Sequence, residues 1–332
     1  MSGSIEVRRV QATKDGTFLV SLPKDWARRF SLRKGSPIYV KERTDGCLIL
    51  DPQYEAEGYP EITIKLSKRI EDHIVSSYLL GYELITVEGL KGFKAERERI
   101  RRTAGRLVGV EIVEEDENRI VLQCLLKATA IPPERILRRQ YVLSKSLCEE
   151  AFSALLNLDV KAAEKLRGKD DEVDRLYFLL VRLLRSLIIN PRLSEKLKIS
   201  LIECLDYRLA ASLMENIADT AVEIAELTGR IKAKAGNIKP LLGHLEDFSQ
   251  ALASAYDEAV KALFSKDERH MEASSKHMGE ASEILRLVEA EASKRNAPPA
   301  IYILLTLLGR LINHIKDIAD LVAPHLTPNQ KR

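Results

Sequence analysis

From residue 133 onward the sequence keeps one period. Apolar side chains recur at three- and four-residue spacing through residue 325, as on one face of an α-helix. The pattern breaks only near 167–169, 190–191, 236–240, 266–267 and 297–299. Helices end before prolines and restart after them, so these breaks predict about six long helices. The stretch also repeats itself. Ala154-Leu155-Leu156-Asn157-Leu158-Asp159 is echoed 108 residues later by Ala262-Leu263-Phe264-Ser265-Lys266-Asp267. Ile217-Ala218-Asp219 recurs 101 residues later as Ile318-Ala319-Asp320. Two three-helix units packed into one all-α bundle account for both the period and the echo.

Two smaller regions precede the bundle, which makes the chain a multidomain α+β protein. In residues 59–127, strands are predicted at 61–66 and 84–88, helices at 68–81 and 94–107, and a hairpin at 110–113 and 119–125. This βαβαββ order predicts a small α/β domain. Residues 1–52 alternate like a β module. Strands at 5–11 and 17–21 flank a Lys14-Asp15-Gly16 turn, and a helix at 24–30 has Pro23 at its first position. Gly35 breaks the chain before a second hairpin, 37–43 and 47–50, around Thr44-Asp45-Gly46. Such a module is too small to bury a good core alone, so a homodimer is implied. Residues 1–52 hold 10 Lys and Arg against 6 Asp and Glu, residues 53–130 hold 12 against 14, and the remainder 30 against 29. The positive excess therefore sits at the N-terminus, where a nucleic-acid partner would be met.

Several classes are excluded. Cys47, Cys124, Cys148 and Cys204 lie far apart with no C-x-x-C spacing, so neither a zinc ribbon nor a disulfide framework is expected. No signal-like segment follows Met1 and no apolar run is long enough to span a bilayer, which predicts a cytoplasmic chain without membrane insertion. There is no G-x-G-x-x-G, P-loop, G-x-S-x-G or H-E-x-x-H. No nucleotide cofactor is expected, and the chain is not expected to be an enzyme. The basic run from Arg97 to Arg106, diluted by Glu96 and Glu98, reads as a solvated helix face.

Two acidic pairs stand out, Asp170 with Asp174 and Glu215 with Asp219. Acids four apart share one side of a helix. Carboxylates converging from adjacent helices can hold a hard divalent cation or iron. Equally, acids in a first helical turn favour the helix dipole. Asp170 and Asp174 fall at the edge of the stripe of Leu166, Val173, Tyr177 and Leu180, whereas Glu215 and Asp219 lie opposite that of Leu213, Ile217, Ala221 and Ile224. The second pair is thus not expected in a core, which leaves a surface metal site or solvated charge. A competing cation site is His270 with His277 and Glu280, joined by His314 if the last helix packs there.

Two family resemblances attach to these residues. Val20, Leu22, Pro23, Lys24, Trp26, Leu32, Lys34 and Gly35 resemble the pattern of the AbrB/SpoVT swapped-hairpin family across roughly residues 5–52. The resemblance implies a swapped-hairpin β-barrel interlaced from two chains, binding DNA through Arg8, Arg9, Lys14, Lys24 and Arg28. Asp170-Asp171-Glu172-Val173-Asp174-Arg175-Leu176 and the run 215–226, together with the repeat, resemble the PhoU family of phosphate-regulation proteins across about residues 134–323. That implies metal at Asp170, Asp174, Glu215 and Asp219. The second repeat departs from the pattern, with Lys316 before Asp320 and with Met278 and Ser282 at the mapped acid positions. The combination is similar to archaeal PhoU-type regulators with an AbrB domain. It implies a dimeric transcriptional regulator of phosphate uptake, acting at promoters of phosphate-transport genes. The alternative is an accessory subunit that binds a phosphate transporter or signalling kinase, with residues 1–52 serving only to dimerise it.

Overall fold

Short-range turn chemistry dominates the N-terminal unit. The computed structural model describes residues 6–42, 46–52, 60–127, 130–233 and 239–322. They fall into two units, Met1–Tyr59 and Pro60–Arg332. In the first, β1 (Gln11–Ala12) pairs antiparallel with β2 (Phe18–Leu19) around Gly16, whose φ of +82° only glycine adopts freely. Helix α1 (Lys24–Arg29) follows, with Pro23 one position earlier than expected, at the N-cap. β3 (Tyr39–Glu42) and β4 (Leu48–Asp51) form the second hairpin. The first hairpin is shorter than predicted. Ile5, Arg43, Thr44 and Asp45 of these predictions lie outside the described residues. Among the described residues there are two separate two-stranded sheets and no closed barrel. Among the described side chains of this unit none is buried: Phe18 is 75% exposed, Leu48 64% and Val40 60%.

The second unit begins with the α/β module: β5 (Glu61–Lys65), α2 (Ile70–Leu79), β6 (Leu84–Glu88), α3 (Lys94–Arg106), β7 (Val110–Glu115) and β8 (Arg119–Cys124). The sheet order is β5-β6-β8-β7, with β5 and β6 parallel and the other neighbours antiparallel. Alternation sends Ile85, Val87, Ile120 and Leu122 to one face, where Ile70, Ile74 and Tyr78 of α2 and Ile100 of α3 cover them. Gly109, at φ +78°, joins α3 to β7. A Cβ there would lie 2.9 Å from Leu126 Cβ, so this crossing needs glycine. The basic face of α3 is not simply solvated. Arg97 and Arg101 both grip Glu115, at 2.9 and 2.8 Å, and Arg99 grips Glu71 at 3.1 Å.

The bundle comprises α4 (Pro133–Leu156), α5 (Val160–Glu164), α6 (Asp171–Ile189), α7 (Pro191–Leu197), α8 (Leu201–Lys232), α9 (Lys239–Ser265), α10 (Glu268–Lys294) and α11 (Pro299–Asp320). Six are long, and α5 and α7 are short connecting helices of 5 and 7 residues. Prolines open α4 and α11, and a reciprocal Ser200–Glu203 capping box opens α8. α4, α6 and α8 pack mutually, as do α9, α10 and α11, and the halves join through α8 on α11 and α4 on α9. The echoed sequences form the same turn twice. Leu158 and Lys266 adopt φ of +50° and +55°, and the next residues, Asp159 and Asp267, each accept a backbone N–H as an N-cap.

The module and the bundle interlock along α6. Phe178 packs on the module's core, and Val108 and Leu126 pack on the bundle's. Arg182, only 4% exposed, donates to the carbonyls at the C-terminal end of α2: Tyr78 O at 2.6 Å, Tyr82 O at 2.8 Å and Gly81 O at 3.3 Å. Its guanidinium also lies 4.8 Å from the Tyr78 ring centre. Tyr78 O also accepts the Gly81 N–H at 3.0 Å, and together these carbonyls lie at the negative end of the α2 dipole. Among the described residues no helix is long and apolar enough to cross a membrane.

Candidate functional site

Helix α6 covers the face of α8 that carries Glu215 and Asp219, and this decides the site. The first turn of α6 brings Asp174 against them. One carboxylate oxygen from each of Asp174, Glu215 and Asp219 lies within 4.8 Å of the other two, the one such trio of ligating side chains among the described residues. All three are partly buried. They are therefore neither in the core nor freely solvated, because a solvent-side face of α8 is roofed by a neighbouring helix. Asp170, the N-cap residue of α6, stays outside the trio and makes no capping hydrogen bond.

Like charges in a half-buried cleft resist ionisation. Burial first, then Asp219 and Asp170, push Asp174 up to about 6, against a smaller opposing pull from Arg106. Burial, then Asp219 and Asp174, push Glu215 up to about 7, with Arg208 opposing. Asp219 is raised as well, by burial and then by Asp170 and Glu223. One oxygen, Asp174 Oδ1, is buried without a hydrogen-bond partner. The other, Oδ2, lies 3.3 Å from Arg106 Nη2 at the end of α3, and the same Nη2 lies 3.8 Å from Asp171 Oδ1. An all-oxygen set with an unsatisfied buried acceptor fits a hard divalent cation or iron. It offers nothing soft enough to select zinc or copper.

The histidine alternative does not assemble. His270 Nδ1 contacts Glu258 of α9 at 2.6 Å and His277 Nδ1 contacts Glu280 at 2.9 Å, so each ring has its own carboxylate. Arg8, Arg9, Lys14, Lys24 and Arg28 are all exposed in the N-terminal unit. Arg8 pairs with Glu6, and Arg28 with Asp25 at 3.7 Å. Two cations were missed in the sequence. Arg106 is 68 residues from Asp174 with no local signal linking them. Arg182, two helical turns beyond Asp174, was legible only as an arginine inside an apolar stretch.

These helices have a known counterpart. Residues 137–228 match the PhoU domain. The match contains α6, most of α4 and α8, and all four acids named above. The crystal structure of PhoU from Pseudomonas aeruginosa superposes with a TM-score of 0.50 at 18% identity, covering 57% of this chain and 93% of that one. At that identity the likeness to PhoU is one of fold. No curated protein sequence matches the chain.

Proposed function

We propose that the protein is a dimeric DNA-binding regulator of phosphate uptake, in which a PhoU-like bundle senses state or binds a partner and residues 1–52 deliver the output. What carries the reading is a PhoU domain on the same chain as a basic module that buries none of its described side chains. A module in that condition completes its core against another surface, and a second copy interlaced into a swapped-hairpin barrel supplies one. Arg8, Arg9, Lys14, Lys24 and Arg28 then lie on the DNA-binding face, and promoters of phosphate-transport genes are the target. Phosphate contacts would dominate affinity, so binding should weaken steeply with salt, by a log–log slope of about −0.9 per neutralised phosphate.

The expected result is a salt-sensitive gel shift with the upstream DNA of a phosphate-transport operon, lost when residues 1–52 are removed. A truncated chain that binds as tightly as the full one overturns the assignment. The alternative, an accessory subunit for a phosphate transporter or signalling protein, predicts that neutralising Arg8, Arg9 and Lys24 together changes nothing.

The same reading places a divalent cation or iron at Asp174, Glu215 and Asp219, with Asp170 nearby as an additional negative charge. Support comes from the unpartnered buried Asp174 Oδ1 and the oxygen-only donors. The cation would add positive charge to a cleft in which Arg106 opposes the charge at Asp174 and Arg208 that at Glu215.

A further inference from the structure

One face of α6 is shared by two parts of the molecule. Asp171, Asp174, Phe178, Arg182 and Ser186 recur at three- and four-residue spacing, so they form a single seam. The α/β module meets every one of them. Arg106 reaches Asp171 and Asp174, Phe178 enters the module core, and Arg182 holds the end of α2. A Cβ placed on Gly81 would sit 3.5 Å from Ser186 Oγ. The seam is unequal along its length. At one end Arg182 is buried and fully engaged. At the other, the Arg106 side chain is 51% exposed and holds Asp174 by one long hydrogen bond of 3.3 Å and Asp171 by charge at 3.8 Å. That weak end is where the seam meets the carboxylate trio, through Asp174.

We propose that Arg106 is a built-in counter-cation of the carboxylate cluster, so that the docked end of α3 and a divalent cation compete for Asp174. This rests on the metal reading given above. Arg106 neutralises part of the negative charge that would attract a cation. A bound cation in turn neutralises the charge that holds Arg106 and repels the guanidinium directly. Loading the cluster therefore frees the C-terminal end of α3 and the following loop to Gly109, while Arg182 keeps the rest of the module seated. The module, which otherwise has no part in the acidic site, becomes its readout. Arg208 on α8 also faces Glu215, but its guanidinium is stacked 4.8 Å from the Tyr177 ring centre and belongs to the bundle itself. Arg106 is the cation that arrives from outside the bundle.

The test uses the full chain and Mn²⁺ alone, followed by calorimetry for the wild type, Arg106→Gln, Arg106→Lys and Asp219→Asn. Arg106→Gln is expected to bind Mn²⁺ about tenfold more tightly than wild type, and Arg106→Lys within about threefold of it. Asp219→Asn is expected to lose the binding, which locates the ion. Amide hydrogen exchange over residues 101–109 is expected to rise on Mn²⁺ addition in the wild type. In Arg106→Gln it should be fast already and unchanged by Mn²⁺. Equal Mn²⁺ affinity in wild type and Arg106→Gln, with exchange unaffected by the ion, overturns the competition and leaves the metal reading standing. Absence of Mn²⁺ binding in every form, Arg106→Gln included, removes the metal reading and the competition with it.

Discussion

Replacing Arg182 with alanine is expected to destabilise the unit by about 3–4 kcal/mol in urea unfolding. Arg182 is 4% exposed, and its loss takes away the donor to the carbonyls of Gly81 and Tyr82 and the second donor to Tyr78 O, which keeps its bond from Gly81 N at 3.0 Å. It also removes the cation above Tyr78, whose ring is fully buried and whose hydroxyl donates to Val108 O at 3.0 Å. Two of the three carbonyls, those of Gly81 and Tyr82, lose the Arg182 donor with no second bond like that of Tyr78 O, and an unpaired acceptor costs more than the bond it replaces. Lysine keeps the charge but not the fork, so Arg182→Lys should recover only part of the loss. Hydrogen exchange of α2 and β6 should accelerate together in the alanine variant, because the module loses its main anchor as one body. A variant within about 0.5 kcal/mol of wild type would mean the module stays seated by apolar packing alone.

The second large effect concerns pH in the absence of divalent cations. In the unfolded chain, Asp and Glu ionise near pH 4. Folded Asp174 and Glu215 ionise near 6 and 7. Between those limits the folded protein binds more protons than the unfolded one, so stability falls as pH rises from about 4 to about 7 and then levels. For partly exposed, mutually coupled groups the total is about 2–4 kcal/mol. Other groups act in the opposite sense. His314, lowered by burial, favours folding as pH rises towards its ordinary value, and Asp116 and Asp267, held low by hydrogen bonds, act at more acid pH. The informative quantity is therefore the difference between wild type and the Asp174→Asn/Glu215→Gln double variant in chelator. The double variant should be the more stable at pH 8 and the two should converge near pH 4. A double variant less stable than wild type at pH 8 would show that the carboxylates are compensated in some other way.

Much of this architecture can be read before any coordinates. Prolines at positions 133, 191, 240 and 299 and the echoed turn at Asp159 and Asp267 mark where bundle helices begin, because those residues act through local backbone chemistry. The strands of the module from Glu61 to Cys124 emerge close to their predicted bounds for the same reason. What could not be read is anything set by packing between distant segments. The faces of α8 were ranked by the apolar stripe, which puts Glu215 and Asp219 away from the core. Nothing in that stripe says that α6 would lie over them. Arg106 was one of five arginines on α3, and only the docked module distinguishes it. The N-terminal unit shows the converse limit: its turns and helix are local, and nothing in the nearby sequence covers Phe18, Val40 and Leu48, which stay exposed.

The duplicated halves also differ in how free they are to be redesigned. Among the described residues, α6 answers to α4, α8 and the α/β module, while α10 packs on α9 and α11. Position by position, Ser282, Lys316 and Asp320 are the counterparts of Asp174, Glu215 and Asp219. They line one groove of about 570 Å³ with no arginine in its walls. Ser282→Asp with Lys316→Glu would thus install a twin cluster that no guanidinium guards. Comparing Mn²⁺ affinity at the twin with that at the original would measure, inside one molecule, what the guard is worth.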